Sequence, residues 1–276
     1  MLLSRRALVV ALLFAVLACH PDFQLHTFAT NEALYKAAMQ EIAAGRWDNA
    51  VTALEKLTTD LPARDTLLPR SHWYLGKAHE ERGEFILAAT SFSRIVESFP
   101  DDTLADDAAL ESARDYAKMW RKPALDPTYG ETAAATYNTL LGLYPTSPLI
   151  PEARKEMEAL DEMFAQKAYG TGMYYFRRRA YDPALIYFTD VVTKYPATPT
   201  VRLAQLRMVE SYKIIRYKPE ASETCFALRK GYPEDVEVKQ VCAGVPDPVA
   251  TPSVPANSPP STTGPPTERP VTPPAS

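Results

Sequence analysis

An alanine followed twelve residues later by a proline recurs five times, and this spacing constrains the fold more than any other feature of the chain. The pairs are Ala50 with Pro62, Ala88 with Pro100, Ala133 with Pro145, Ala184 with Pro196 and Ala221 with Pro233. Mostly large apolar residues stand four and seven residues after each alanine, which places all three positions on one face of a helix. Because proline bars continuation of a helix, each unit is predicted to be a helix that ends just before its proline.

A second helix is predicted upstream of each alanine, joined to the first by a tight turn. In three units the turn reads Gly45-Arg46-Trp47, Gly83-Glu84-Phe85 or Arg179-Ala180-Tyr181. Seven residues before these turns stand the small residues Ala38, Gly76 and Gly172, where two helix backbones must approach closely. We therefore expect Ala88 and Ala184 to be buried between crossing helices. The pattern resembles the tetratricopeptide repeat over residues 31–235.

Composition agrees with an all-α fold. Only ten glycines occur in 276 residues, and the body is rich in Ala, Leu, Glu, Arg and Tyr, which favours helix over strand. Successive prolines lie 38, 45, 51 and 37 residues apart, against about 34 for an ungapped unit. Insertions are therefore predicted, one at 121–128 and one that lengthens the first helix of the fourth unit to roughly 151–178. We expect a tetratricopeptide-like solenoid of about five helix pairs, preceded by a flexible tether at 19–30.

The first residues have the pattern of a secretory signal. Arg5 and Arg6 precede an unbroken apolar run at 7–18, which is too short to span a bilayer. The box Val16-Leu17-Ala18-Cys19 follows, and here the sequence resembles a bacterial lipoprotein. The resemblance implies cleavage of a signal peptide at 1–18, lipidation of Cys19 and, because position 20 is not Asp, sorting to the outer membrane. The alternative is an ordinary signal in which Cys19 is incidental.

The lipoprotein box, the short tether, five degenerate repeats, the loop in the third and the long helix of the fourth together resemble the BamD family. This family is the lipoprotein D subunit of the outer membrane protein assembly machine, and the best-matching stretches are 34–62 and 168–196. The resemblance implies an adaptor on the periplasmic face that binds unfolded barrel proteins and the barrel-forming subunit. The alternative is another periplasmic repeat lipoprotein that coordinates cell-envelope or division complexes.

A helical solenoid offers a concave wall lined by the first helix of each pair. The register predicts Tyr35, Met39, Trp73 and Lys77 on this wall in the first two units. Apolar anchors beside one cation suit an extended peptide that ends in an aromatic residue and a carboxylate. The alternative for Trp73 is packing between neighbouring repeats. The family resemblance adds that the front repeats meet the C-terminal strand of an unfolded barrel protein.

Basic residues concentrate in the rear units. Arg177 and Arg178 belong to the densest cluster, and Arg202 and Arg207 follow it. Such a run is either a solvated helix end that complements the helix dipole or a contact site. The resemblance implies that rear repeats dock on a periplasmic domain of the barrel-forming subunit, with these four arginines as candidates.

Catalytic and metal-binding patterns do not emerge. The spacing of His20, His26, His72 and His79 fits no zinc site or catalytic triad, and no phosphate-binding glycine loop or nucleophile motif occurs. We predict a binding protein that is not an enzyme and needs no metal or cofactor. The net charge of −4 excludes general affinity for nucleic acid. Cys225 and Cys242 either pair in the oxidising periplasm or remain two thiols.

The last residues depart from the family, most members of which end soon after the fifth repeat. Residues 244–276 contain 11 of the 25 prolines and almost no large apolar side chain. Such a segment cannot bury enough surface to offset the loss of chain entropy. We predict a disordered tail that acts as a spacer or arm.

Overall fold

The computed structural model describes residues 23–248; the predicted signal peptide, Cys19 and the tail beyond residue 248 lie outside this range. The described part contains a short 3-10 turn at Leu25–Thr27, eleven α-helices and no strand. The helices are α1 (Asn31–Ala43), α2 (Trp47–Asp60), α3 (Leu67–Glu81), α4 (Phe85–Ser98), α5 (Ala105–Met119), α6 (Thr128–Leu143), α7 (Ile150–Arg177), α8 (Tyr181–Lys194), α9 (Thr200–Ile215), α10 (Lys218–Gly231) and α11 (Val236–Val241). Within the described residues, no helix has both the length and the apolar character that crossing a membrane requires.

The first ten helices form five consecutive pairs, α1 with α2 through α9 with α10, and α11 closes the array. The buried apolar residues divide into five clusters that follow one another along the chain. A helical-repeat array packs in this way because each unit contacts only its neighbours. The predicted all-α solenoid of five helix pairs is confirmed.

Proline sets the end of the second helix in every pair. Each of these helices stops two residues before its proline, and the intervening residue is Leu61, Phe99, Tyr144, Tyr195 or Tyr232. The ring of a proline disfavours helical geometry in the residue before it, so the chain leaves the helix there. The intervening residue of each pair adopts extended or other non-helical backbone angles.

The predicted repeat register agrees with the burial of its residues. Ala50, Ala88, Ala133 and Ala184 have no exposed surface, and Ala221 is 4% exposed. The residues four and seven positions later are also buried in all five units. The expectation that Ala88 and Ala184 lie buried in the helix interface is confirmed.

Glycines allow the paired helices to approach closely in two units. A Cβ atom on Gly76 would lie 2.6 Å from Cε1 of Phe92, and one on Gly172 would lie 2.5 Å from Cε1 of Phe188. In these two pairs the first helix therefore presents backbone without a side chain to the aromatic ring of the second. A third contact of this kind, between Gly130 and Trp120, carries no repeat signature and was missed by sequence reasoning.

The turns inside four pairs use a left-handed residue at the same repeat position. It is Gly45 at φ +68° and Gly83 at φ +73° in the front, but Arg179 at φ +60° and Arg216 at φ +67° in the rear. Glycine adopts this conformation without steric cost, whereas an L-residue with a Cβ pays about 1–2 kcal/mol. The rear of the solenoid thus holds two arginines in costly backbone conformations.

The front end of the array differs from the sequence-based expectation, and the rear end decides an alternative that the sequence left open. Phe23, Leu25 and Phe28 pack against the first apolar cluster, so the second half of the predicted flexible tether lies on the solenoid. At the other end Cys225 and Cys242 form a disulfide with 5.6 Å between their Cα atoms, which decides between the two alternatives. Closing a loop of this length stabilises a fold by about 3 kcal/mol.

Gly172→Ala should destabilise the protein, because the new methyl group would overlap the ring of Phe188. Overpacking of this kind costs about 1–3 kcal/mol. Gly170→Ala is the matched control on the same helix, since no heavy atom lies within 4 Å of its added Cβ. The control should instead gain up to about 1 kcal/mol through helix propensity. Denaturant unfolding of both variants checks the prediction, and equal effects would contradict the close approach.

Candidate protein-binding surfaces

The predicted front wall divides between two packing environments. Tyr35 and Met39 lie half-buried on α1 against the first apolar cluster. The ring of Tyr35 meets the ring of Tyr74 edge-on, with 6.4 Å between centroids. Trp73 lies half-buried on α3 against the second cluster, edge-on to Phe92 at 5.2 Å. Tyr35, Met39 and Trp73 therefore contribute to packing between helices while each keeps part of its surface exposed.

Lys77 lies next to Trp73 and is already paired. Its Nζ is 5.3 Å from the ring centroids of Trp73 and Phe92. The same ammonium group contacts Glu80 at 2.8 Å and Glu111 at 2.5 Å. Trp73 and Lys77 therefore lie together, and two carboxylates already contact the ammonium group of Lys77.

The carboxylates beside Lys77 belong to a chain of ion pairs across the first helices of three units, which we name the charged ribbon. It joins α3, α5 and α7. Its members are Lys77, Glu80, Glu111, Arg114, Asp115, Lys118, Glu152 and Glu156. Apolar residues hold the two helices of a pair together, whereas these charges link the first helices of neighbouring pairs.

Arg114 is the centre of the charged ribbon. Its guanidinium contacts Glu111 at 2.8 Å, Glu152 at 2.5 Å and Glu156 at 2.6 Å. The hydroxyl of Tyr137, on α6, donates to Glu156 at 2.7 Å. The hydrogen bond to Glu156 and that to Glu111 outweigh burial and raise the pKa of Arg114. One guanidinium thus joins two helix pairs.

Asp115 is the most buried member of the charged ribbon. Its side chain has no exposed surface, and Lys118 contacts one carboxyl oxygen at 2.8 Å, whereas the other oxygen has no hydrogen-bond partner. Burial, and then the nearby charge of Glu80, raise the pKa of Asp115 to about 7 despite the opposing effect of Lys118. This carboxyl group therefore holds its proton into the neutral range.

Sequence reasoning missed the charged ribbon, although a signal for it was present. Lys77 and Glu111 are 34 residues apart, Glu80 and Lys118 are 38 apart, and Arg114 and Glu152 are 38 apart. These separations match the repeat length, so they place opposite charges on neighbouring first helices. Motifs and helix ends carry no trace of this pattern, because it lies in opposite charges placed one repeat apart.

The rear arginines separate into two kinds. Arg177 and Arg178 lie exposed at the end of α7. The guanidinium carbon of Arg178 is 3.5 Å from the centroid of Tyr174, whose side chain is also half exposed. Among the described residues, no ion pair engages Arg177 or Arg178. These two side chains present charge to solvent beside an aromatic ring.

Arg202 and Arg207 instead hold the last helix in place. Arg202 contacts Asp235 at 2.7 Å and Glu237 at 2.9 Å, and Arg207 contacts Glu237 at 3.3 Å. The hydrogen bond from Arg202 lowers the pKa of Asp235 to about 2. The four arginines that the sequence analysis groups together are therefore of two kinds. Arg177 and Arg178 face solvent, whereas Arg202 and Arg207 form ion pairs within the chain.

The structure describes His26, His72 and His79, and the last two of these are at least partly buried. His79 is buried, and its Nδ1 lies 2.8 Å from a carboxylate oxygen of Glu84. Burial lowers the pKa of His72. Across 23–248, no group of three or more His, Cys, Asp or Glu side chains is placed to hold a metal ion.

Five helix pairs, buried alanines at a fixed register and partly exposed rings on the first helices define a tetratricopeptide-repeat protein. The family model described as "YfiO: Outer membrane lipoprotein" matches residues 28–225. Since this match covers most of the chain, the protein belongs to the YfiO outer membrane lipoprotein family. The predicted membership is confirmed.

Three curated relatives carry the name outer membrane protein assembly factor BamD. The protein from Caulobacter vibrioides is 23% identical over 204 residues, 74% of this chain and 67% of the relative. That from Xylella fastidiosa is 24% identical over 205 residues, 74% and 60% of the two chains. That from Vibrio cholerae is 25% identical over 190 residues, 65% and 78%.

Solved repeat structures are similar at lower identity. The TPR2AB domain of yeast Sti1, in a pHSP90 complex, is 16% identical with a TM-score of 0.38 over 76% of this chain and 81% of that chain. The P58(IPK) TPR domain is 13% identical with a TM-score of 0.39 over 76% and 54%. With TM-scores this low, neither likeness carries an argument about function.

Asp115→Asn should alter the pH dependence of stability. The carboxyl group ionises near pH 4 in the unfolded chain but near pH 7 in the folded one. The native protein therefore loses stability relative to the variant as pH rises through this window, by more than about 1 kcal/mol. Unfolding in denaturant at about pH 5 and about pH 8 checks this.

The exposed Asp101→Asn serves as the matched control and should follow the native profile. A constant difference between the native protein and Asp115→Asn at both pH values would contradict a buried, protonated Asp115.

Proposed function

We propose that this protein is a lipid-anchored adaptor of outer-membrane β-barrel assembly that works by binding rather than by catalysis. The observation that carries the proposal is membership of the YfiO outer membrane lipoprotein family over 28–225. The names of the three curated relatives support the same process. The specific roles of individual surfaces follow from their chemistry.

The proposed anchor is Cys19, which places the front of the solenoid near the membrane. Only residues 20–22 separate Cys19 from Phe23, which packs on the first apolar cluster. The four Cα-to-Cα steps from Cys19 to Phe23 span about 14 Å at most. A lipid on Cys19 would therefore hold α1 and α2 against the periplasmic face of the outer membrane, while later pairs extend away from the anchor.

The proposed substrate groove lies on α1 and α3. Tyr35, Met39 and Trp73 offer partly exposed apolar surface to an unfolded barrel strand. Lys77 Nζ carries three protons, of which Glu80 and Glu111 accept two, so one remains for a peptide carboxylate. Neighbouring carboxylates weaken this attraction, which suits a chaperone-like contact that must release its substrate.

The proposed docking surface for the barrel-forming subunit is the exposed end of α7. Arg177 and Arg178 present two unpaired charges there, and Tyr174 adds an aromatic face. Arginine beside an aromatic ring is typical of energetically important interface residues. Arg202 and Arg207 support this surface indirectly, because they fix α11 beside the same rear units.

The second candidate function is coordination of cell-envelope or division complexes by a periplasmic repeat lipoprotein. A five-pair solenoid with partly exposed rings on its front helices would serve either function, since both need binding of extended segments. Only the identity of the partner separates them.

Affinity capture from detergent-solubilised envelope tests the function. The full chain should recover a barrel-forming subunit with periplasmic domains. The variant Arg177→Glu with Arg178→Glu should lose most of that recovery, because it reverses both docking charges. Quantitative mass spectrometry of the captured proteins measures the loss.

A control with the same charge change lies on the same helix. Arg154→Glu with Lys155→Glu alters two exposed residues of α7 and should leave recovery unchanged. Recovery of cell-wall factors in place of a barrel subunit would favour the second function. Equal losses of recovery in both double variants would show that Arg177 and Arg178 have no specific role in docking.

A thermodynamic cycle tests the front groove. A peptide from the C-terminus of a barrel protein should bind the native chain roughly fivefold more tightly than its C-terminal amide, since a half-exposed ion pair contributes about 1 kcal/mol. In Lys77→Gln the two peptides should bind equally, because the partner of the carboxylate is gone. Calorimetric titration at low salt gives the four dissociation constants.

Lys36→Gln is the matched control, since Lys36 lies exposed on α1 next to Tyr35. It should preserve the difference between acid and amide. Equal affinity of both peptides for the native chain would show that Lys77 does not meet the carboxylate. Absence of binding would reject the groove itself.

A further inference from the structure

A pocket of about 430 Å³ lies at the turn between α9 and α10. Tyr212 and Tyr217 form part of its lining and stack with 6.4 Å between ring centroids and 13° between planes. The side chain of Tyr217 is 49% exposed. Stacked tyrosines beside small apolar residues are the lining that proline-rich segments prefer.

The opposite wall of the pocket is the start of the C-terminal tail itself. The disulfide and Arg229, which donates to the carbonyl oxygens of Cys242 and Val245, hold the chain after α11 against α10. Ser222 then donates to the carbonyl oxygen of Pro246 at 2.7 Å. Residues 243–246 line the pocket, so the tail leaves the described structure beside it.

Three cations belong to the lining of the pocket. Lys213, Arg216 and Lys218 line it, and within 23–248 no carboxylate forms an ion pair with any of the three. Arg216 holds a left-handed conformation in which glycine would cost less.

We propose that the proline-rich tail folds back into this pocket, with Pro265 and Pro266 on the tyrosines and Glu268 against Arg216. The run Pro265-Pro266-Thr267-Glu268 contains the only carboxylate side chain of residues 249–276. No other segment of the tail has two adjacent prolines close to a charge that is opposite to the charges of the pocket. Hydrogen bonds from tyrosine hydroxyls to prolyl carbonyl oxygens complete the fit.

The connecting length permits this return. Sixteen residues, 249–264, separate Pro248 from Pro265, and a coil of that length spans about 22 Å on average. A short tether gives an effective concentration near the millimolar range. A large fraction of molecules would then have a docked tail, even if the intrinsic dissociation constant of the contact is only millimolar.

Docking would cover the rear edge next to the exposed arginines of α7. Arg179 and Arg216 occupy the same repeat position in successive units, so their turns lie on one edge of the solenoid. A docked tail therefore competes with any acidic partner that extends along this edge. The inference stands apart from the proposed function, since it concerns contacts within one chain.

Fluorine NMR of the full mature chain labelled with 3-fluorotyrosine tests the proposal, with Tyr217→Phe used to assign the Tyr217 signal. The signal should shift when the chain is ended at Pro248. Glu268→Gln should lose at least half of that difference. Arg216→Gly should also release the tail, because it removes the cation but keeps a residue suited to the left-handed turn.

Arg269→Gln is the matched control beside Glu268 and should leave the tail bound, since it removes a like charge. Identical Tyr217 signals with and without the tail would overturn the proposal. So would release by Arg269→Gln to the same extent as by Glu268→Gln. A shift that depends on protein concentration would assign the pocket to the tail of a second copy and reject docking within one chain.

Discussion

The close approach of the two helices within a pair is the constraint on which the structure depends. Gly76 against Phe92 and Gly172 against Phe188 leave no room for a Cβ atom. Each aromatic ring thereby fills the space that a side chain on the partner helix would otherwise occupy, which gives dense packing from few residues. In these two units the buried alanine lies on the same face as that ring. Stacking of successive pairs produces an array whose stability is distributed over successive clusters.

Contacts between pairs have a different physical basis in the middle of the array. The charged ribbon joins α3, α5 and α7 through half-exposed ion pairs in addition to the apolar clusters. Such pairs add little stability individually, but a guanidinium shared by three carboxylates fixes the geometry between helices. The same charges line the face on which a substrate would bind, so the polarity of that face follows from how the repeats are joined.

The two ends of the solenoid are closed by different means. Phe23 and Phe28 cover the first apolar cluster, which spares α1 an exposed apolar face. At the rear, a disulfide and the ion pairs of Arg202 fasten α11 over the last cluster. A repeat array needs such caps because its terminal units lack a neighbour. The rear cap also fixes the point from which the proline-rich tail departs.

The sequence by itself determined the helices, their ends and the buried register, because proline geometry and the spacing of apolar residues are local properties. The sequence also identified the family, because the repeats and their insertions are visible as a pattern of spacings between residues. Only the tertiary structure decided that Cys225 and Cys242 pair, that Lys77 is held by Glu111, and that Arg202 holds α11 while Arg178 faces solvent. Each of these depends on distances between residues far apart in the chain, which no local spacing encodes. The three-dimensional path of the helices sets those distances.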